Sequence, residues 1–329
     1  MKARLEAWLL RRWYGGVAPG PLLRLLAWLY GRLSARRRRR DAAAAASPGV
    51  PVLVVGNLVA GGAGKTPLTI ALARELARRG WSPGIVSRGH GRQGRAPLRV
   101  EAGMSPTRCG DEPLLIAERT GLPVFVDRDR LAAAAAAVAA GCNLVIADDG
   151  LQHLRLARDI EIEVVDGERR YGNGRLLPAG PLREPAGRPV DFRVVNGGSA
   201  GEGERPMRLQ PGPARALEGG ATRPLQAFAG QPVHAVAGIG HPRRFFQTLR
   251  AAGLEPIGHA FPDHHAYRRE DLAFTPPLPL LMTEKDAVKC RGLGLAEAWS
   301  VPVEAQLPDT FYDAVAARLA ALDNRHAPA

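Results

Sequence analysis

A glycine-rich segment between residues 56 and 66 has the residue types of a phosphate-binding loop. An apolar run ends at Gly56, and Gly61-Gly62-Ala63-Gly64-Lys65-Thr66 then leads into an amphipathic helical pattern. In such loops the backbone N–H groups and the helix N-terminus bind phosphates, the Lys reaches the β- and γ-phosphates, and the Thr hydroxyl binds Mg²⁺. Val59 stands where the strict pattern has its first glycine. The segment predicts nucleotide binding; the alternative is a glycine-rich turn without a ligand.

Two adjacent carboxylates, Asp148 and Asp149, follow the apolar run at 144–147. In enzymes with a phosphate-binding loop, an acid at the end of a neighbouring strand holds Mg²⁺, directly or through water. The alternative is a turn with Asp in its first two positions. Beside the phosphate loop, the pair predicts a Mg²⁺ site.

Gly110-Asp111-Glu112-Pro113 precedes an apolar helical pattern and leaves two interpretations open. Asp111 is either the N-cap of a helix or a general base that takes the proton of a substrate hydroxyl. Further along, Phe261-Pro262-Asp263-His264-His265 follows a strand pattern. Two adjacent histidines without a third ligand make a weak zinc site. We therefore interpret this cluster as a His that orients a carboxylate across a cleft.

Alternating strand and helix patterns begin at residue 50 and position these groups. Strands are predicted at 52–55, 84–87, 123–126, 143–147 and 160–165, and helices at 65–79, 111–119 and 128–140. Helices of this length between strands favour right-handed crossovers and a mainly parallel sheet. Ligands of such sheets bind beyond the carboxyl ends of the strands, where the segment 61–66 lies.

A second, smaller α/β pattern follows a stretch rich in Gly, Pro and Ala. Its strands are predicted at 234–237, 257–260, 280–283 and 300–305, and its helices at 242–252, 284–290 and 310–322. We expect an α/β protein whose P-loop NTPase-like, mainly parallel sheet domain spans 50–205. A hinge is expected at 206–230, with a possible strand at 207–209. A smaller C-terminal α/β domain at 231–329 is expected to close over the active site. A helical segment and basic linker are expected at 1–49.

The net charge of +13 predicts an anionic partner, namely nucleic acid, an acidic membrane or a phosphorylated substrate. The basic residues lack the interleaved aromatics of a nucleic-acid-binding module, so no nucleic acid is expected. Cys109, Cys142 and Cys290 are far apart and have neither disulfide nor zinc spacing, which suits a reducing cytosol. The sequence carries no signal for an oligomeric state.

The N-terminal segment has the features of an interfacial helix. Leucines lie on one helical face, at Leu22, Leu25, Leu26, Leu29 and Leu33. Aromatic rings lie near by, at Trp8, Trp13, Trp28 and Tyr30, and a run of arginines follows at 36–40. No stretch approaches the ~18 uninterrupted apolar residues of a spanning helix. The pattern predicts a helix on an anionic cytoplasmic leaflet; the alternative is an ordinary helix packed on its own domain.

Taken in order, these segments resemble the tetraacyldisaccharide 4′-kinase family, which phosphorylates the 4′ position of a lipid-linked glucosamine disaccharide in lipid A synthesis. The resemblance rests on collinear motifs: Gly56-Asn57-Leu58, Gly61-Gly62-Ala63-Gly64-Lys65-Thr66-Pro67, Ser87-Arg88-Gly89, Gly110-Asp111-Glu112-Pro113, Asp148-Asp149-Gly150-Leu151-Gln152-His153, Leu177-Pro178-Ala179-Gly180-Pro181-Leu182-Arg183-Glu184, Gly238-Ile239-Gly240, Phe261-Pro262-Asp263-His264-His265 and Thr283-Glu284-Lys285-Asp286-Ala287-Val288-Lys289. The family shares Val59, so that mismatch does not count against ATP. This chain has His90 and His241 where the family commonly has Tyr and Asn.

The resemblance implies a kinase that uses ATP and Mg²⁺ to convert a tetraacyldisaccharide 1-phosphate into lipid IVA. It implies that Asp111 is the catalytic base, with His264 as its partner and Lys65 as a further catalytic residue. The implied ATP-binding residues are Gly61, Gly62, Ala63, Gly64, Lys65, Thr66, Gln152, His153 and Arg183. The implied Mg²⁺ residues are Thr66, Asp148, Asp149, Glu112 and Glu184. An N-terminal helix on the cytoplasmic face of the bacterial inner membrane is implied as well.

A P-loop ATPase of the partitioning or metallochaperone type is the alternative. That class also uses a G-G-x-G-K-T loop, but it usually carries a signature lysine just before the two glycines, where this chain has Ala60. It typically dimerises around the nucleotide, whereas this chain brings a second domain of its own.

Overall fold

The computed structural model describes residues 2–92, 94 and 96–326, so the first residue and the last three residues of the expected terminal ranges lie outside it. The helices are α1 (Lys2–Tyr14), α2 (Pro21–Ala43), α3 (Lys65–Arg78), α4 (Pro106–Cys109), α5 (Asp111–Thr120), α6 (Arg130–Ala139), α7 (Pro242–Ala251), α8 (Glu284–Cys290) and α9 (Asp309–His326).

The strands follow the predicted alternation with these helices. They are β1 (Val52–Gly56), β2 (Pro83–Ser87), β3 (Leu98–Val100), β4 (Val124–Val126), β5 (Leu144–Asp148), β6 (Ile160–Asp166), β7 (Phe192–Asn196), β8 (Glu204–Pro211), β9 (Ala214–Ala216), β10 (Thr222–Arg223), β11 (Pro232–Ala237), β12 (Glu255–Ala260), β13 (Leu280–Thr283), β14 (Ala298–Val301) and β15 (Val303–Gln306).

In the described part of the chain these strands form two sheets. The larger has the order β15-β8-β7-β6-β1-β5-β2-β4-β3 and the smaller has the order β10-β9-β14-β13-β11-β12. The strands from β4 to β8 in the larger sheet are all parallel, and the edge strands β3 and β15 are antiparallel to their neighbours. The predicted mainly parallel α/β fold is confirmed.

Helices cover both faces of the larger sheet, which explains why β1 is apolar throughout and β5 is apolar up to Asp148. Leu53 and Val55 of β1 pack in a core with α3, α5 and α9. Val52 and Val54 point to the other face and pack against the alanines of α6. The carboxyl ends of the parallel strands β1 and β5, at Gly56 and Asp148, therefore lie side by side at one edge of the sheet.

One predicted strand is divided between the two sheets. The pattern at 300–305 was expected to be continuous, but β14 ends at Val301 and β15 begins at Val303. Pro302 separates them: it has no N–H to donate to a sheet, and its carbonyl accepts a hydrogen bond from Gly212 N at 2.9 Å. The chain thus passes from the smaller sheet to the larger sheet at this proline.

The range 206–230, predicted to be a hinge, contains the end of β8 and the short strands β9 and β10. β8 continues to Pro211 and pairs with β7 in the larger sheet, whereas β9 and β10 belong to the smaller one. The Gly and Pro content hid these strands because edge positions and strand ends tolerate Pro. β15 and α9 return to the larger sheet, so sheet membership does not follow the expected boundary of a separate unit at 231–329.

The N-terminal segment is helical, and its basic run lies inside α2 rather than in a linker. Among the described helices, none is both long and apolar enough to cross a membrane. The leucines of the predicted apolar face are all exposed, as is Trp28. Trp13 and Tyr30 differ from the expectation of an interfacial position, because both turn their polar atoms inward and donate to backbone carbonyls.

Candidate active site

The phosphate loop requires glycine where β1 passes into α3. Gly64 has a φ of +96° and is the N-cap of α3. A Cβ at this position would lie 2.4 Å from Nδ2 of Asn196, which donates to the Ala63 carbonyl. Gly61 also has a positive φ, of +118°. A side chain at Gly64 would therefore clash with Asn196 and strain the backbone. Glycine at this position avoids both and leaves the amide groups of the loop accessible.

Lys65 begins α3 and points back across the loop. Its Nζ donates to Oδ1 of Asn57 at 3.0 Å and lies 3.3 Å from Oδ1 of Asp149. Asn57 also donates to the Gly61 carbonyl, so one buried amide fixes both the loop and its lysine. Sequence reasoning did not single out Asn57, although its polar side chain directly follows a fully apolar strand.

Asp148, the last residue of β5, faces α3. Its Oδ1 accepts a hydrogen bond from the Thr69 hydroxyl at 2.9 Å. Thr66 is the second residue of α3 and half-buried, one turn before Thr69. Burial raises the pKa of Asp148, and the nearby negative charges of Glu112 and Asp149 raise it further. Thr69 was missed, although the i,i+3 spacing from Thr66 could have identified it.

Asp149 lies in the left-handed region with a φ of 51°, a conformation that non-glycine residues adopt mainly at turns and functional sites. The Arg183 guanidinium donates to its two oxygens at 3.2 and 3.3 Å. Burial raises the pKa of this carboxyl, but Lys65 and Arg183 outweigh it and hold the pKa well below its usual range. Asp149 is thus an anion between two cations at the mouth of the phosphate loop.

Gln152 joins the phosphate loop to the segment that carries Arg183. Its Nε2 donates to the Asn57 carbonyl at 3.0 Å and to Oε1 of Glu184 at 2.9 Å. Glu184 is buried and also accepts hydrogen bonds from Arg188. In this arrangement the predicted Mg²⁺ residue Glu184 is bound to protein donors.

His153 directly follows Gln152 in the chain. Its backbone carbonyl accepts a hydrogen bond from Arg158. Burial lowers the pKa of the ring to about 4, and the positive charges of Arg130 and Arg88 lower it further. The ring is therefore neutral at physiological pH.

Asp111 and His264 meet across the cleft between the two sheets. Nδ1 of His264 lies 2.9 Å from Oδ2 of Asp111, and the two residues are 153 positions apart. Asp111 is the first residue of α5 and Gly110 is its N-cap, so the helix-cap interpretation of Asp111 is wrong. Although burial raises the pKa of Asp111, the His264 hydrogen bond and the charges of Lys285 and Lys289 lower it to about 2.

Lys285 makes a second bond across the cleft. Its Nζ lies 2.8 Å from Oε1 of Glu112 on α5 and 2.9 Å from Oδ1 of Asp263 beside β12. The predicted Mg²⁺ residue Glu112 is therefore paired with a lysine. Lys289 adds a buried ammonium 4.0 Å from Oδ2 of Asp111. Neither lysine was assigned a role from the sequence, although both lie in the Thr283–Lys289 motif.

The smaller sheet also covers the phosphate loop directly. A Cβ at Gly240 would lie 2.4 Å from the backbone N of Gly62. Arg169 donates to the Gly240 carbonyl at 3.1 Å. Close packing of two glycine segments places the loop between β11 and α7 directly over the phosphate loop.

A cavity of about 1170 Å³ connects these parts. It is lined by side chains of α1, by the tip of the phosphate loop and by the carboxylate–imidazole pair, including Leu9, Leu10, Trp13, Gly61, Asp111 and His264. The cavity therefore offers both apolar side chains and the Asp111 carboxylate to an acceptor that has an apolar portion and a hydroxyl group.

The two departures from the family pattern have defined surroundings. The His90 ring lies 4.5 Å from the His264 ring, centroid to centroid, so an aromatic contact remains where Tyr is common. Nδ1 of His241 lies 3.5 Å from Oδ2 of Asp166, whose Oδ1 lies 3.0 Å from Arg244. Neither substitution reaches the contacts of Lys65 or Asp149.

The donor set around Asp148 fits Mg²⁺. Carboxylate and hydroxyl oxygens are the ligands that this hard cation prefers, and Asp148, Asp149 and Thr66 supply them. The pKa of Asp148 is raised by its burial and by the charges of Glu112 and Asp149, which is the electrostatic situation that a divalent cation relieves.

The Asp111–His264 pair predicts a pH-dependent contribution to stability. His264→Asn is expected to lower the free energy of unfolding more at pH 5.5 than at pH 8, by on the order of 1 kcal/mol. The Asp111 hydrogen bond raises the pKa of folded His264 above 6.5, so this stabilisation is complete below 6.5 and is lost as the pH rises through the folded value. Urea unfolding at both pH values measures the difference, and equal destabilisation would contradict the ion pair.

The carboxylate contributes in the opposite direction. The pKa of Asp111 falls from 3.8 to about 2 on folding, so its stabilisation is present above 3.8 and is lost as the pH falls toward 2. The pair therefore contributes most between about pH 4 and 6.5, which is why pH 5.5 is the informative condition.

Comparison with known proteins identifies the family of this chain. The family described as tetraacyldisaccharide-1-P 4′-kinase (LpxK) matches residues 20–320. The tetraacyldisaccharide 4′-kinase of Stenotrophomonas maltophilia (strain R551-3) is 54% identical over 322 residues, which cover 93% of this chain and 95% of the relative. That of Xanthomonas campestris pv. campestris (strain 8004) is 52% identical over 341 residues, covering 96% and 97%.

A solved structure gives the same result at lower identity. The crystal structure of an "apo" form of LpxK from Aquifex aeolicus in complex with ATP superposes with a TM-score of 0.73 at 26% identity, covering 89% of this chain and 97% of that one. Sequence and fold thus agree over nearly the whole length, and the chain belongs to the tetraacyldisaccharide-1-P 4′-kinase family.

Proposed function

We propose that this chain transfers the γ-phosphate of ATP to the 4′-hydroxyl of a tetraacyldisaccharide 1-phosphate, forming lipid IVA in lipid A synthesis. One observation carries the proposal: the Asp111–His264 pair and the tip of the phosphate loop line the same cavity. A partitioning ATPase hydrolyses ATP and has no need of a base beside an acceptor cavity. The cavity also has apolar side chains of α1, which suits an acylated sugar.

Each residue has a defined task in this mechanism. Asp111 takes the proton of the 4′-hydroxyl, and its histidine partner orients the carboxylate. The hydroxyl oxygen then bonds to the γ-phosphorus while the bond to the β-phosphate oxygen breaks, and ADP leaves. Lys65 and Arg183 stabilise the negative charge on the transferring group.

Mg²⁺ would be held by Thr66, Asp148 and Asp149. When bound, it neutralises phosphate charge and aligns the phosphates for transfer. Burial disfavours the charged form of Asp148, so a bound cation would stabilise the carboxylate. We assign Gln152 and Glu184 to the support of Arg183, because their hydrogen bonds lead to it.

A direct assay tests the proposed reaction. Radiolabelled ATP and a tetraacyldisaccharide 1-phosphate in detergent micelles are expected to yield a product labelled at the 4′ position. ATP consumption without the acceptor is the control, because a P-loop ATPase would consume ATP in either case. Absence of labelled lipid, or equal ATP consumption with and without acceptor, would overturn the assignment.

We further propose that α2 lies on the cytoplasmic face of the inner membrane as a peripheral anchor. Its exposed leucines form an apolar strip, and the arginines at 36–40 follow on the same helix. Buried apolar area and attraction to anionic lipids are the two contributions that hold such helices at an interface. The acylated substrate resides in the same membrane.

Leu29→Glu is expected to reduce partitioning to phosphatidylglycerol vesicles by about tenfold or more, because burying one leucine contributes about 1.5–3 kcal/mol. Vesicle sedimentation measures the bound fraction. Ile257→Glu is the matched control, because Leu29 is 42% exposed and Ile257 on β12 is 43% exposed. Equal loss in both variants, or no loss at Leu29, would place the membrane contact elsewhere.

A further inference from the structure

The two N-terminal helices hold one loop of the active site between them. We call residues 172–184 the arginine loop, because it ends with Arg183 and Glu184. Nε1 of Trp13 on α1 donates to the Pro178 carbonyl at 3.0 Å. The Tyr30 hydroxyl on α2 donates to the Arg183 carbonyl at 2.9 Å. Each helix therefore bonds to the arginine loop through an inward-facing ring.

Backbone contacts add to these two bonds. The backbone N of Asn173 donates to the Trp13 carbonyl at 2.9 Å. Two glycines permit the close approach: a Cβ at Gly172 would lie 2.7 Å from the Trp13 carbonyl oxygen, and a Cβ at Gly31 would lie 2.9 Å from Cδ1 of Leu176. The arginine loop thus fits tightly between α1 and α2.

The Tyr30 bond lies at the end of a short chain of contacts to the phosphate loop. The backbone N of Arg183 donates to the Leu58 carbonyl at 2.7 Å, directly before the loop. The Arg183 side chain binds Asp149, which in turn lies 3.3 Å from Nζ of Lys65. Because its carbonyl and its N–H are both hydrogen-bonded, the Arg183 backbone is held in one position. The side chain therefore starts from a fixed point on the way to Asp149.

We infer that Tyr30 is a positioning residue for phosphoryl transfer, because its hydroxyl fixes the backbone from which Arg183 reaches the phosphate site. The same helix carries exposed leucines on its outer side and Tyr30 on its inner side. Covering the outer side with lipid restrains α2, and Tyr30 passes that restraint to Arg183. The inference rests on the proposed kinase activity and the proposed membrane contact.

Tyr30→Phe tests the inference with the full chain. The Phe ring keeps the packing of α2 and removes one hydrogen bond. The expected result is a three- to tenfold lower kcat/KM for ATP, with unchanged partitioning to phosphatidylglycerol vesicles and only the small decrease in the midpoint of urea unfolding that loss of one part-buried hydrogen bond causes. Tyr312→Phe, on α9 and away from the cleft, is the control and is expected to match wild type.

A double-variant cycle separates positioning from general structural support. Once Arg183→Ala has removed the guanidinium, Tyr30→Phe is expected to cause no further loss in kcat/KM. Independent losses that multiply, or a Tyr30→Phe variant with wild-type kinetics, would overturn the inference. These outcomes differ from failure of the proposed function, in which wild type forms no labelled lipid, and from failure of the membrane proposal, in which Leu29→Glu still partitions.

Discussion

Replacing Asp111 by Asn is expected to slow phosphoryl transfer by about 10²–10⁴-fold, the range that general base catalysis contributes. Asn keeps the size of the side chain, and its amide oxygen still accepts a hydrogen bond from Nδ1 of His264. It does not take up a proton, so the 4′-hydroxyl loses its acceptor. ATP binding is expected to stay close to wild type, because the phosphate loop and Asp149 are untouched. Single-turnover kinetics and nucleotide titration measure the two effects separately.

The chain offers a matched control for this variant. Asp271 also pairs with a histidine, at 3.3 Å from Nε2 of His265, but it lies at the 3₁₀ turn 269–272 rather than in the cavity wall. Asp271→Asn is expected to retain wild-type turnover. Full turnover of the Asp111→Asn protein would show that Asp111 only begins α5 and that the base lies elsewhere.

Replacing Lys65 by Met is expected to lower kcat/KM for ATP by about 10²–10³-fold, as loss of one preorganised charged donor at a transition state typically does. Met keeps an unbranched side chain of similar length but removes the charge. The pKa of Asp149 is held low first of all by Lys65 among the cations, so the variant also leaves Arg183 as the main counter-charge of that carboxylate. Steady-state kinetics at varied ATP concentration measures the loss.

Asn57→Ala tests the same contact with a smaller expected effect on kcat/KM for ATP. Asn57 touches Nζ of Lys65 and the Gly61 carbonyl, so it positions the charge without supplying it. The decrease in kcat/KM for ATP is expected to be smaller for Asn57→Ala than for Lys65→Met. In the Lys65→Met protein, Asn57→Ala is expected to cause no further decrease. A Lys65→Met protein with normal use of ATP would refute the assignment of this loop to the phosphates.

Local patterns in the sequence predicted the elements that end at the site. The apolar runs before Gly56 and Asp148 predicted two central strands, because strands covered on both faces are apolar throughout. The glycine-rich segment followed by Lys65 and Thr66 predicted the turn into α3, because a phosphate-binding loop has this pattern between a strand and a helix. These features depend on neighbours in the chain, which is why sequence alone was sufficient.

Contacts between distant residues were beyond such reasoning. Lys285 meets Glu112 from 173 residues away, and Thr69 meets Asp148 from 79 residues away. Nothing in the local pattern of either segment specifies its partner. The resemblance to a family named Asp111 and His264 as partners, and the fold brings them to 2.9 Å.

The aromatic rings of the N-terminal helices illustrate a related limit of periodicity. Trp28 and Tyr30 are both amphipathic rings on α2, and composition gives them the same role. Rotation about the helix separates them: Trp28 faces outward and Tyr30 bonds to the arginine loop. Only the packing partner distinguishes an exposed ring from a ring that bonds to the arginine loop.

The passage at Pro302 has a consequence for how the cleft opens and closes. β8 and β15 are antiparallel neighbours with Val303 opposite Pro211, so together they form a hairpin of the larger sheet. The whole smaller sheet, from residue 212 to residue 302, is an insertion at the tip of that hairpin. Both of its ends meet at the bond between Gly212 and Pro302. Because the chain enters and leaves this insertion at one place, we expect any relative motion of the two sheets to move His264 and Lys285 together with respect to Asp111 and Glu112.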